Sequence, residues 1–194
     1  QLNSPQSWLI KQVNTSPATP ASANLPSGYA PEEGVSGWKL ENNVITGITH
    51  MGELVSQYPF TGNGDRDPSG FGYAATYVWS DAAASGNIVV GVSRSGTLWV
   101  NDERIWAGDS GRYDSFDLLR EPGILPEQFT VPVSLKPGWN TVVMRSTNGT
   151  RNGADWLFSL SFNVPGIDSA GFSTRGRNIA ASSNGSDVSV SFDA

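Results

Sequence analysis

At 194 residues the chain is long enough for one large all-β domain and can bury a full core without covalent staples. It contains no cysteine, which excludes disulfides, thiolate metal sites and cysteine nucleophiles, and its net charge of −6 argues against nucleic acid and anionic membranes as partners. With 22 Gly, 12 Pro and seven Trp, and no apolar run near membrane-spanning length, the composition is that of many short strands and turns.

The chain opens at Gln1 in polar sequence without a signal peptide, as a processed mature form or a piece cut from something larger would. "SWLIKQV" from Ser7 predicts a first strand. "NTSPATPASANLPSGYAPEEG", residues 14–34, has the composition of an interdomain linker or of a long loop crossing a sandwich surface. "GWKLENNVITGI" predicts a strand pair around an Asn-Asn turn. Gly62, Gly64 and Pro68 then make residues 50–70 mostly loop.

"FGYAATYVWS" alternates, with Phe71, Tyr73, Ala75, Tyr77 and Trp79 on one face and Gly72, Ala74, Thr76 and Val78 on the other. "GNIVVGVS" is a further strand, and "GTLWVNDERIW" a hairpin turning at Asn101-Asp102. "QFTVPVSL" places Phe129, Val131, Val133 and Leu135 inward and Thr130, Pro132 and Ser134 outward. "WNTVVMRS" and "DWLFSLSF" read as a final hairpin around the long polar loop "STNGTRNGAD", its core filled by Trp139, Phe158 and Phe162. Residues 165–186 read as irregular and "DVSVSFD" as an edge strand. The spacing and alternation predict two packed antiparallel sheets.

The order "YAATYVWSD", "IVVGVSRSGTLWVNDERIWAGD", "FTVPVSLKPGWNTVVMRSTNG", "WLFSLSF" resembles the galactose-binding-like jelly-roll modules attached to secreted glycoside hydrolases and polysaccharide lyases. The likeness covers about half the chain well and most of it loosely, with "SWLI" and "GWKLENNVITG" matching where such modules begin. It implies a single β-sandwich module over residues 1–194. Its parts are an N-terminal strand and long loop (1–37), a core sandwich (38–164) and a C-terminal loop and edge strand (165–194). It also implies non-catalytic carbohydrate binding, a secreted or extracellular location and a catalytic domain on the same polypeptide as partner. Some such modules carry a structural calcium. The acidic pair that holds calcium against the sugar in one branch is replaced here by "SRSG", residues 93–96, so that mode looks absent. Asn152 and Asp155 in "RNGADWLFSL" fall where related modules place a loop Asn and a strand-opening Asp.

His50 is the only histidine, and no nucleophile-elbow motif accompanies any serine, so nucleophilic and imidazole-metal catalysis are poorly supplied. Two carboxylates would suffice for a glycosidase, but the glutamates fall in predicted loops or turns. Asp65 and Asp67 in "GNGDRDPSG" are alternating oxygen ligands of the kind a calcium ion takes, with Asp155 as a third candidate.

Sugar binding needs an aromatic face for the pyranose CH surface and polar groups for its hydroxyls. Loop-proximal aromatics are Tyr58, Phe60, Trp106, Tyr113 and Trp156, and Arg112, Arg145 and Arg151 lie beside them. Arginine outnumbers lysine nine to three, a bias that points toward an acidic polysaccharide. The expected carbohydrate-binding set is Trp106, Arg112, Tyr113, Arg151, Asn152 and Trp156. The competing functions are a structural accessory domain with no ligand of its own and a small glycanase or lyase.

Overall fold

The alternating segments fold as strands whose pairings are all antiparallel, in a computed structural model that describes residues 3–13, 23–42, 48–50, 71–92, 94–110, 128–147, 157–175, 179–184 and 187–192. In chain order they are β1 (Ser7–Val13), β2 (Lys39–Asn42), β3 (Ile48–His50), β4 (Phe71–Ser80), β5 (Ala84–Val92), β6 (Ser95–Val100) and β7 (Glu103–Asp109). Then follow β8 (Phe129–Leu135), β9 (Gly138–Thr147), β10 (Leu157–Asn163), β11 (Phe172–Ser173), β12 (Ile179–Asn184) and β13 (Asp187–Phe192). The larger sheet runs β2-β1-β4-β9-β6-β7, with β11 also on β4, and the smaller runs β3-β10-β5-β8. The fold is an antiparallel β-sandwich, the class the alternation predicts.

Pleating sets the core. Ala74 lies opposite Met144, and Met144 opposite Leu98, so one face of β4, β9 and β6 presents Ala74, Val78, Val142, Met144, Leu98 and Val100 inward. Ile88, Val90, Val131, Val133, Leu135, Phe158 and Phe162 answer from the smaller sheet. Each large side chain buried there contributes roughly 1.5–3 kcal/mol relative to exposure. Trp8 and Phe158 meet edge to face at 5.2 Å, tying β1 to β10 across the layers.

The other face of the larger sheet is apolar as well. Leu9, Ala75, Tyr77, Trp99 and Val143 form a second cluster, covered by Leu25, Tyr29 and Trp38 from residues 23–38. The Tyr77 hydroxyl donates to the Pro31 carbonyl at 2.7 Å. This part of the Pro/Ser-rich stretch therefore lies across the sheet.

Three sequence expectations are corrected. First, β2 pairs with β1 and β3 with β10, so the expected strand pair around Asn42-Asn43 is split between sheets. Second, β9 and β10 do not form a hairpin. β9 sits between β4 and β6, β10 between β3 and β5, and the chain between them passes from one layer to the other. Alternation shows which faces of a strand are apolar but not which neighbour it takes, and about 10 Å separates packed sheets. Third, residues 165–186 are more regular than expected. They include a 3-10 turn at Ser169–Gly171 capped by Asp168, then β11, then β12, which pairs with β13 as a separate two-stranded ladder.

Trp79, Trp99, Trp139 and Tyr77 sit on alternating strand positions that make most of them core candidates; Tyr77 and Trp99 are buried, Trp139 is half-buried and Trp79 is 43% exposed. Phe158 and Phe162 are core residues.

One buried amide fastens the sandwich at the β6–β7 turn. Asn101 and Asp102 both take positive φ (49° and 70°), the type I′ geometry in which Asn and Asp are tolerated. The Asn101 side-chain amide donates to Asn140 Oδ1 at 2.7 Å, and Lys136 N donates to the same oxygen at 2.9 Å. Asn140 Nδ2 donates in turn to the carbonyls of Lys136 (2.8 Å) and Gly138 (3.0 Å). Asp102 receives Gly28 N on Oδ2 (2.7 Å) and Leu25 N on its carbonyl (2.9 Å), which holds the covering segment. Asn140→Ala leaves several of these buried groups without partners and should lower unfolding stability by roughly 3 kcal/mol. Asn101→Gly keeps the turn geometry but loses two side-chain bonds, the one donated to Asn140 Oδ1 and the one accepted from Thr141 N, and should cost about 2 kcal/mol. Urea unfolding followed by tryptophan fluorescence measures both, and an Asn140→Ala midpoint equal to that of the parent would refute the latch.

Candidate functional site

Strand registers bring four connections to one end of the sandwich. Phe71 opposes Thr147, Gly96 opposes Ser146 and Ser95 opposes Asp109 in the larger sheet. His50 opposes Leu157, Phe158 opposes Val92 and Val90 opposes Phe129 in the smaller. The chain therefore leaves and re-enters the strands here for residues 51–70, 93–94, 111–127 and 148–156. Asp65 and Asp67, Arg112 and Tyr113, and Arg151, Asn152, Asp155 and Trp156 belong to three of these connections and lie outside the described residues. The strand ends that bound these three connections are spread over more than a hundred residues of sequence and come together only through long-range pairing.

The described framework at that end is a stack of rings around a cation. The Arg145 guanidinium lies 4.0 Å over the Phe71 ring. Phe71 meets Tyr73 edge-on at 5.5 Å, and Tyr73 reaches Trp99 at 6.3 Å and Trp38 at 6.5 Å. Burial lowers the Arg145 pKa and raises that of the Tyr73 phenol, the cation opposing the second shift. Sequence position suggests Arg145 as a loop-side charge; at 5% exposure it belongs to the interior of the stack. The Ser95 and Thr147 hydroxyls hydrogen-bond to each other, and Thr147 Oγ1 also donates to the Ser95 carbonyl at 2.9 Å, locking β6 to β9.

Trp106 is the one expected sugar-binding residue that is described. It is half-buried on β7, 5.1 Å from Phe129 of β8, so the ring spans the open side between the two sheets. Gly108 lies directly beneath it, where a Cβ would collide with the ring, while a Cβ at Gly96 would collide with Met144 and Val92 and crowd the ring at 3.0 Å.

At the opposite end, where β4 closes and β9 begins, Trp79 and Trp139 are register partners with rings 5.3 Å apart at 72°. Trp79 Nε1 donates to Asp81 Oδ1 at 2.7 Å. This pair was missed in the sequence because its alternation matches that of the buried Tyr77. The available signal was its place at the strand end, against the polar "SDAAAS" turn. Among the described residues no group of three or more His, Asp or Glu is arranged to hold a metal ion.

No family model and no curated protein matches the sequence. Solved structures with some likeness include the β-glucosidase of Kluyveromyces marxianus, at 16% identity over 84% of this chain and 16% of that one, with a TM-score of 0.44. The same enzyme in complex with glucose gives 15% identity, the same coverage and a TM-score of 0.45. A glycosyl hydrolase family 2 member from Bacteroides cellulosilyticus gives 13% identity over 80% of this chain and 20% of that one, with a TM-score of 0.41. The chain thus spans only a small part of the proteins it is similar to. At these identities and TM-scores the likeness assigns neither activity nor ligand.

Burial raises the phenols of Tyr29, Tyr73 and Tyr77 above the ordinary value of 10.0. A raised phenol favours the neutral form in the folded state, so its contribution is whole below pH 10 and is lost as pH rises beyond it. The melting temperature should therefore hold near neutrality and fall steeply above about pH 10. In Tyr77→Phe that alkaline fall should be shallower, after a loss near neutral pH of about 1 kcal/mol for the bond to Pro31. Melting curves from pH 7 to about 11.5 test this, and equal alkaline slopes in parent and variant would contradict it.

Proposed function

We propose that the chain is a non-catalytic carbohydrate-binding module of the galactose-binding-like type, acting outside the cell to tether a polysaccharide-degrading domain to its substrate. The observation carrying this reading is the convergence at one sandwich end of the connections bearing Arg112, Tyr113, Arg151, Asn152 and Trp156. An aromatic face, two arginines and a carboxamide are the groups that a pyranose carrying carboxylates or vicinal hydroxyls requires. The motif order of the resembling modules supports the same end. No bond is made or broken; the module raises the local concentration of its catalytic partner at the polymer. Calcium belongs to the same proposal. Asp65, Asp67 and Asp155 lie on two of the converging connections and offer the oxygens that ion takes.

Affinity electrophoresis through gels containing polygalacturonate, galactan or mixed-linkage glucan, with a parallel reducing-end assay, tests the reading. Retardation without product is expected, strongest on the uronan. Trp156→Ala and Arg151→Ala, shown by melting to be folded, should each weaken retention about tenfold. Product release would make the chain an enzyme, and no retardation on any gel would leave the accessory-domain reading. Chelation of calcium should lower the melting temperature, and an unchanged melt would remove the metal from the proposal.

A further inference from the structure

The Trp79–Trp139 pair is built as a rigid aromatic platform, and nothing in the proposed loop-end site uses it. Among the described residues the large apolar side chains left exposed are Val35 and Trp79, and Trp79 is 43% exposed although its strand neighbours Val78 and Ser80 are buried. The indole is held from two directions, by its N–H bond to Asp81 and by the edge of Trp139. It therefore offers a face whose orientation is fixed before anything arrives, which lowers the ordering cost of binding. Gly138 opens β9 at φ +89°, a backbone conformation suited to glycine, and a Cβ there would only touch the Trp79 ring at 3.9 Å.

The surroundings select the occupant. Asp81, Ala82 and Ala83 just after β4, and Lys136 and Pro137 just before β9, are all exposed, so the chain flanking the indole at this end of the two strands is polar or small. Stable protein interfaces bury about 800 Å² per partner, far more than one half-exposed indole supplies. One ring face matches one pyranose CH face, and Asp81, whose Oδ1 already accepts the indole N–H, still has Oδ2 to accept from a sugar hydroxyl. A carboxylate at the rim disfavours uronates. We propose that Trp79, backed by Trp139 and flanked by Asp81, is a second carbohydrate-binding site for neutral, equatorially substituted pyranose chains. It lies eight residues along β4 from the loop end, about 26 Å away, and is independent of that site.

The test is titration of the full chain, nitrogen-15-labelled, with cellohexaose, following the indole N–H resonances. Trp79→Phe identifies the Trp79 resonance by its loss. Expected are a saturable shift of that resonance, retention of binding in Trp79→Phe, a loss of about tenfold or more at this site in Trp79→Ala read from the Trp139 resonance, and an unchanged Trp79 response in Trp156→Ala. A Trp79 resonance unmoved by millimolar cellohexaose would overturn the proposal. A Trp79 response that disappears in folded Trp156→Ala would overturn it too, by reducing the two sites to one. Failure of all uronan binding at the loop end leaves the Trp79 result intact, so the two readings fail separately.

Discussion

The two central strands of the larger sheet, β4 and β9, carry apolar side chains on both faces, and water must be kept from the second face as well as from the first. The smaller sheet covers one. Residues 23–38 cover the other, and they stay there because a type I′ turn on β6–β7 holds their backbone with Asp102 while Asn101 grips Asn140 beneath. The I′ turn thus serves three masters with two residues: it reverses the chain, seals the outer face and anchors the β8–β9 connection. Its positive φ values are the local cost of that economy of position.

That division of labour separates framework from recognition. Most of the described aromatic residues are taken up by the two cores: Trp8 between the sheets, Trp99 under the covering segment, Trp38 within that segment, Trp106 across the open side. Trp79 stands apart because the covering segment reaches Tyr77 through Pro31 and does not take up the next aromatic along the strand. The loop end differs in kind. Its described part is a buried Arg145–Phe71–Tyr73 stack that stiffens the strand ends from which the converging connections depart.

How much of this the sequence disclosed depends on whether the deciding physics is local. Strand positions and inward faces were readable, since "QFTVPVSL" and "FGYAATYVWS" alternate with period two and the pleat obeys it. The Asn101-Asp102 turn was readable because two residues set it. Partner choice was not. "WNTVVMRS" and "DWLFSLSF" look like consecutive hairpin strands, and only long-range packing puts them in opposite layers. The same gap concealed Asn140, an amide in an apolar run whose partners lie at positions 101, 136 and 138, and it concealed the exposure of Trp79. Sequence pattern nominated residues for a sugar site on several loops; topology alone shows that their strands end together.

The layer-to-layer routing has a kinetic corollary. Among the described strands from β2 to β10, only β6 and β7 follow each other in the same sheet, and the pairings β1–β4, β4–β9 and β3–β10 join residues far apart in sequence. Loop closure must therefore be met before most contacts form, which places such a chain among the slower folders, on the millisecond-to-second scale rather than the microsecond one. The β6–β7 hairpin, with its preset turn and short span, is the natural early element, and β9 and β4 can add to it only once the intervening chain has been gathered in. A fragment ending before β9 would lack the central partner of both β4 and β6, so the sandwich assembles as a whole.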